Sequence, residues 1–448
     1  MKKFIWIIVI VLIVVGFYWF FFAMNSSQNG NGGVSSLKSL FPFGGANNNS
    51  TGTIANTQAP VQGSNEQTQI TASYDPLIQI STRASVGATI LLPGYASLQV
   101  TASTSSSTST KNTGTSTSVV QSNTTNPFLG DTLPIVRFAE HGTGYIYDVD
   151  VRGKNETKKT GTTIVRVAEA YFGDAGNSVI FRYLKNDNAT IETYLGHIVP
   201  PALGTTGQFA TIKGDFLPEN IPSIVMSPDQ TSFAYLFATN SGVSGISMST
   251  NGLNKKQLFS SSFDEWTLDL KQSVLTATTK PAGDIPGYAY SVLSSGIFQK
   301  IIGGINGLTT NISPDGRLLL YATSGKNNIG LFLQHQNGDS TKLSIATLPE
   351  KCVWNKSSTT IYCAVPISLD TSLTYPDAWY QGLTSFYDGI WKIDANSGAT
   401  TQLTDLNSKA IDIENLILDQ SGNFLIFENK NDGTLWSYDL RPVSAQKI

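Results

Sequence analysis

From Gly173 onward the chain alternates two kinds of segment: a short turn rich in Asp, Gly, Asn or Ser, and an apolar strand that follows it at once. The phrase reads Gly173-Asp-Ala-Gly-Asn-Ser-Val-Ile-Phe181, then Ser227-Pro-Asp-Gln-Thr-Ser-Phe-Ala-Tyr235, then Ser313-Pro-Asp-Gly-Arg-Leu-Leu-Leu-Tyr321. Looser copies are Asp269-Leu-Lys-Gln-Ser-Val-Leu275, Trp354-Asn-Lys-Ser-Ser-Thr-Thr-Ile-Tyr362 and Asp419-Gln-Ser-Gly-Asn-Phe-Leu-Ile-Phe427. Several copies recur at a spacing of about 40–45 residues, the period of a four-stranded propeller blade. A second trace marks a later strand of each unit, a Gly followed by alternating apolar residues. It occurs at Gly144, Gly245, Gly287, Gly330, Gly389 and Gly433, with a weaker form at Thr190-Ile-Glu-Thr-Tyr-Leu195. Counting these predicts an all-β, seven-bladed β-propeller of four-stranded antiparallel blades, with six and eight blades as the alternatives. No amphipathic helix of three turns interrupts the pattern after the N-terminus.

Closing such a ring needs an outer strand that the C-terminus does not supply. The last repeat ends at Thr434-Leu-Trp-Ser-Tyr438, whereas earlier units continue into Gln257-Leu-Phe-Ser260, Thr341-Lys-Leu-Ser344 and Thr401-Gln-Leu-Thr404. Leu77-Ile-Gln-Ile-Ser81 has the same character and is expected to pair with 434–440, since closure removes exposed sheet edges. The propeller is thereby assigned to 76–442. It carries a low-complexity Ser/Thr loop at about 93–130 and leaves a tail at 443–448. Within the sixth unit, residues 366–388 break the period. This insertion holds Tyr375, Asp377, Trp379 and Tyr380, then Phe386 and Tyr387. Two readings follow. The rings pack onto the propeller and cover a blade end, or they form a contact surface, since aromatics with polar neighbours typify protein hot spots and sugar platforms.

Ser313-Pro-Asp-Gly-Arg-Leu-Leu-Leu-Tyr321 with Gly330-Leu-Phe-Leu333, and Ser227-Pro-Asp-Gln230 with Asn251-Gly252, resemble the WD40-like repeat of TolB-type propellers. The Trp-Asp and Gly-His signatures of true WD40 blades are absent. The resemblance covers 77–440 as architecture. It implies a propeller used for protein binding or as a non-catalytic partner of a hydrolase, and it assigns no catalytic residue.

The first residues pose a different solvent problem. After Lys2 and Lys3, residues 4–23 carry no charge and are long enough to cross a bilayer core as a helix. The run ends in Phe20-Phe21-Phe22-Ala23-Met24, a poor cleavage site, so residues 1–24 are expected to remain as a signal-anchor. The flanking lysines place the N-terminus in the cytoplasm and the propeller outside the cell membrane. Residues 25–75, rich in Asn, Gly, Ser and Thr, are expected to be a flexible tether. Only Cys352 and Cys363 are present. If Ser357-Ser358 centres a hairpin turn, residues whose numbers sum to 715 face each other. That pairs the two cysteines, and an oxidising exterior favours a disulfide over free thiols.

With 14% charged residues and a net charge of −3, the chain has no basic footprint for nucleic acid. His141, His197 and His335 lie in no metal-binding motif, and neither a nucleophile elbow nor a phosphate-binding loop occurs. Asp148-Val-Asp150 and Asp394-Ala-Asn396 suit strand ends and turns better than a calcium site. No cofactor or metal is expected. The expected function is protein or glycan binding, or scaffolding, at the cell envelope without catalysis. The alternatives are a glycan hydrolase or lyase with carboxylates at the mouth of the central channel, and a structural subunit of a surface assembly.

Overall fold

The computed structural model describes residues 75–91 and 133–442, apart from 203, 206, 273, 327, 407 and 408. The expected anchor at 4–23, nearly all of the tether, the 93–130 loop and the tail lie outside the described residues. Among the described residues no helix is long and apolar enough to cross a membrane.

Seven four-stranded antiparallel sheets make up the described chain. Strands are named A to D from the central channel outward, and blades are numbered from the one whose A strand is Ser85–Leu91. Blade 7 takes its first three strands from Ile413–Leu418, Phe424–Asn429 and Leu435–Asp439, and its outer strand from Leu77–Gln79. The register is Leu77↔Tyr438, Ile78↔Ser437 and Gln79↔Trp436, the closure expected from the sequence. Beyond the strand, the amides of Ile80 and Ser81 both donate to the carbonyl of Leu435. The earliest and latest described segments thus share one sheet, and the C strand of blade 7 is paired rather than left as an edge.

Each strand position has its own burial pattern, for a reason set by geometry. The A strand Ser85–Leu91 alternates buried and half-buried residues, because successive side chains point to opposite faces of the blade. The B strand Phe424–Asn429 is buried throughout, since a blade covers it on both sides. The D strand Ser340–Lys342 is exposed throughout. Seven apolar clusters result, one at each interface between neighbouring blades. The core is therefore a ring of layers between blades.

The turns that announced the repeat join A to B. In the turn after Ile312, Ser313 Oγ donates to Asp315 Oδ1 (2.7 Å) and Gly316 adopts φ +73° while its amide closes on the Ser313 carbonyl. In the copy at Ser227, Gln230 occupies that left-handed position at φ 59°, and its side chain donates to Thr89 Oγ1 (2.7 Å) on blade 1. The missing glycine is offset by a contact between blades. Asp419 likewise accepts from the amides of Asn423 and Phe424 (both 2.7 Å). These aspartates are structural, their lone pairs taken by local donors.

Two further expectations rest on hairpin register. Cys352 faces Cys363, Val353 faces Tyr362 and Trp354 faces Ile361, so each pair sums to 715. The cysteines form a disulfide across blade 6 with Cα atoms 4.1 Å apart. The insertion leaves the sheet after Pro366, the end of the B strand, and returns at Asp388, which faces it at the start of the C strand.

Candidate functional site

Each A strand begins at one face of the ring, here called the upper face, where B–C and D–A connections also lie. The 366–388 insertion is a B–C connection and belongs to this face. It is far longer than its counterparts, and its hydrogen bonds show where the surplus goes. Thr374 forms a bridge with Lys326, and the Tyr375 amide donates to Gly325 O (3.1 Å), both on blade 5. Asp377 Oδ2 accepts from the Gly283 amide of blade 4 (2.5 Å). A Cβ at Gly283 would meet Thr374 and the Tyr375 carbonyl below 3 Å, so only glycine permits this approach. At the other end Lys430 Nζ of blade 7 donates to the Trp379 carbonyl (2.7 Å). The insertion is a strap tied to blades 4, 5, 6 and 7.

Beneath the strap lies a buried charge cluster. Lys351 Nζ, fully buried, donates to Asp412 Oδ1 and to the Ile413 carbonyl (2.6 Å each) and lies 3.0 Å from Asp388 Oδ2. Asp412 Oδ2 accepts from Trp379 Nε1 and the Phe386 amide (2.9 Å each), and Asp388 Oδ2 accepts from the Ile413 amide (2.7 Å). The Trp379 and Phe386 rings stack nearly parallel, with centroids 5.8 Å apart. Lys430 sits over the Trp379 ring at 3.6 Å and Lys351 at 4.7 Å, so two ammonium groups flank one indole. Two carboxylates share the cation Lys351. Burial, with help from neighbouring Asp412 and against the pull of Lys351, raises the Asp388 carboxyl to about 6.

The six residues singled out in the insertion divide by this geometry. Tyr375, Trp379 and Phe386 are 0%, 4% and 2% exposed and join the largest apolar cluster, between blades 5 and 6. Asp377 ends the tie to blade 4. Tyr380 and Tyr387 stay outside, 45% and 54% exposed, next to Leu383 (68%) and Ile367 (47%). The Tyr380 hydroxyl donates to the Glu350 carboxylate. The four-residue helix Asp377–Tyr380 explains the split, since it turns Trp379 inward and its neighbour Tyr380 outward.

Lys351, Asp388, Asp412 and Lys430 were not singled out from the sequence. Charged residues occupy the equivalent positions of other blades too, Arg166 and Glu265 before A strands and Lys280 and Lys326 after B strands, so no local signal marked these four. Nothing local tells that four charges on blades 5 to 7 converge.

At the channel mouth of blade 7 two further carboxylates are cross-strand partners, Glu414 and Glu428. Glu428 accepts from Ser85 Oγ (2.5 Å) and Asn415 Nδ2 (2.6 Å), which accounts for both its oxygens. Burial, reinforced by Glu428, raises the Glu414 carboxyl to about 7. Elsewhere on the inner strands Glu169 is bound by Tyr171 and Arg182, and Asp269 pairs with Lys271 at 3.1 Å. Asp148 is held by Nε and Nη2 of Arg137 (2.7 and 2.8 Å), and Asp394 caps the amides of Asn396 and Ser397. His141, His197 and His335 stand on blades 1, 2 and 5. Among the described residues no group of three or more His, Cys, Asp or Glu is arranged to hold a metal ion.

No family model matches this sequence, and no curated protein does. Solved structures do resemble the fold. TolB from Acinetobacter baumannii aligns at 12% identity over 58% of this chain and 60% of its own, with a TM-score of 0.36. Hydrazine synthase from Kuenenia stuttgartiensis aligns at 10% identity over 68% and 92%, with a TM-score of 0.42. An oligogalacturonate lyase in complex with manganese aligns at 8% identity over 69% and 86%, with a TM-score of 0.43. The alignment thus spans less than two thirds of the TolB chain, and at such identities the likeness is one of fold. The chain is a seven-bladed β-propeller, with TolB among the propellers it resembles.

Proposed function

We propose that this protein is a membrane-anchored, extracytoplasmic propeller that binds a protein or glycan of the cell envelope through the exposed edge of its strap, without catalysis of its own. The observation that carries this is the division of the strap. Three rings and a buried ion cluster fix it to four blades, while Tyr380, Leu383 and Tyr387 are held out in solvent. Rigid display of aromatic and aliphatic side chains lowers the ordering cost of binding.

A second reading, a glycan hydrolase or lyase, draws on Glu414, whose carboxyl is protonated for half its population near neutrality and is therefore suited to donate a proton. Its cross-strand neighbour Glu428 is committed to Ser85 and Asn415. The test of the first reading is affinity capture of envelope protein and glycan by the intact chain, beside a Tyr380→Ser, Leu383→Ser, Tyr387→Ser variant. Capture should disappear in the variant while the unfolding midpoint hardly moves, as for exposed substitutions. Undiminished capture by the variant rejects the strap edge as the site. Turnover of envelope oligosaccharides that stops in Glu414→Gln supports the enzyme instead.

A further inference from the structure

The charge cluster beneath the strap brings together an amine, a carboxyl group and a second carboxylate, the parts of an amide-forming site. We propose that Lys351 and Asp388 condense within the folded chain into a side-chain amide, with Asp412 as the base. The bond ties the turn before blade 6 to the returning end of the strap. Such a link stands apart from whatever the strap edge binds.

Three observations carry it. The first is contact. Lys351 Nζ lies 3.0 Å from Asp388 Oδ2 and 2.6 Å from Asp412 Oδ1, and all three side chains are fully buried. Lys351 closes the turn Pro349–Lys351, Asp388 opens the strand Asp388–Asp394, and Asp412 directly precedes the strand Ile413–Leu418, so the fold holds each group in place. Held contact replaces a bimolecular encounter, and burial withholds the water that hydrolyses an amide.

The second is the division of oxygens. Asp412 Oδ1 accepts from Lys351, and Oδ2 from Trp379 Nε1 and the Phe386 amide, so donors hold this group as a carboxylate. Asp388 Oδ2 accepts from the Ile413 amide (2.7 Å), whereas no group of the chain donates to its buried Oδ1. Asp388 is thus the carboxyl with an oxygen free to leave, and Oδ2 keeps its bond as the amide oxygen. The third is charge. Deeply buried ion pairs are costly, and condensation removes one charge of each sign. Burial raises the Asp388 carboxyl to about 6 against the pull of Lys351, which favours the protonated acid that the reaction needs.

The step balances without a co-reactant. A proton passes from the Lys351 ammonium to Asp388, giving an amine and a carboxylic acid. The Nζ lone pair forms a bond to Asp388 Cγ. Asp412 takes a proton from Nζ and delivers it to Asp388 Oδ1 as the Cγ–Oδ1 bond breaks. One water leaves, and Asp412 is again a carboxylate.

The test is a peptide map of the full chain, purified in detergent and kept folded at pH 7. Reduction and alkylation first open the Cys352–Cys363 disulfide, which joins the same stretches. Trypsin cannot cut after a linked Lys351, so residues 343–356 should stay attached to residues 357–392. The joined species should weigh the sum of the two peptides less one water and fragment to a Lys351–Asp388 bond. Lys351→Arg should abolish it. Asp412→Asn should slow its formation at least about tenfold, as loss of a general base does. Separate peptides cut after Lys351 in the native chain overturn the proposal, whether or not the variants fold. A water missing from residues 357–392 alone marks a succinimide at Asp388-Gly389 and overturns it too. So does a link from Lys351 to Asp412. A folded Asp412→Asn chain that links as fast as the native one refutes the assigned base.

Discussion

Glu414→Gln should stabilise the propeller at high pH and do little at low pH. Glu414 stands at the channel end of blade 7, half-buried and opposite Glu428, and its carboxyl is raised from 4.5 to about 7. Burial is the larger cause and the neighbouring carboxylate adds to it. Because the folded chain holds this proton more tightly than the unfolded chain, stability falls as pH rises from about 4.5 to about 7, then levels off. At 1.36 kcal/mol for each pH unit of displacement, the ionised side chain costs about 3 kcal/mol above pH 8. Solvent at the channel mouth trims that figure, so about 2–3 kcal/mol is the expected gain for the neutral isostere. At pH 4.5 both forms are largely uncharged and the two proteins should agree to within roughly 0.5 kcal/mol. Urea unfolding of both proteins at pH 4.5 and 8.5, followed by tryptophan fluorescence, measures the difference directly. Equal m-values license the comparison. The same offset at both pH values, or none at pH 8.5, would show that burial and Glu428 do not hold this proton, and the reasoning fails.

Two predictions concern the strap and its blade. Trp379→Ala removes a stacked, nearly buried indole and should cost about 3–5 kcal/mol, with partner capture lost indirectly, whereas Tyr380→Ala should cost under about 1 kcal/mol. Comparable losses in thermal unfolding for the two would contradict the assigned burial. Replacing both cysteines with serine opens a cross-link of sequence separation 11 and should lower stability by about 3 kcal/mol through chain entropy. An unfolding midpoint unchanged under reducing conditions would contradict that expectation.

The insertion shows how far a break in a repeat can be read. The period exposed residues 366–388 as an anomaly, and their aromatic content raised both packing and binding as roles. The structure assigns packing to Tyr375, Trp379 and Phe386 and leaves Tyr380 and Tyr387 exposed. A joint Trp379→Ala, Tyr380→Ala variant would therefore mix a core residue with a surface one, and the two need separate tests. The partition depends on one turn of helix and on Asp412, which lies 33 residues beyond Trp379 along the chain. Neither has a local signature in the strap.

What the sequence determined is whatever repeats or pairs locally. The turn-and-strand phrase implies the blades, the absent outer strand implies closure by Leu77–Gln79, and hairpin symmetry about Ser357-Ser358 implies the disulfide. Each follows from a short-range rule, the two-residue period of a strand or the register of a turn, applied seven times or twice. Only the tertiary structure decided the convergence of Lys351, Asp388, Asp412 and Lys430 beneath the strap, and the pairing of Glu414 with Glu428 at the channel. Packing of successive blades brings their loops to a common face. A buried charge there is tolerable only where partners from other blades meet it, and that distance in the chain is invisible to any local pattern.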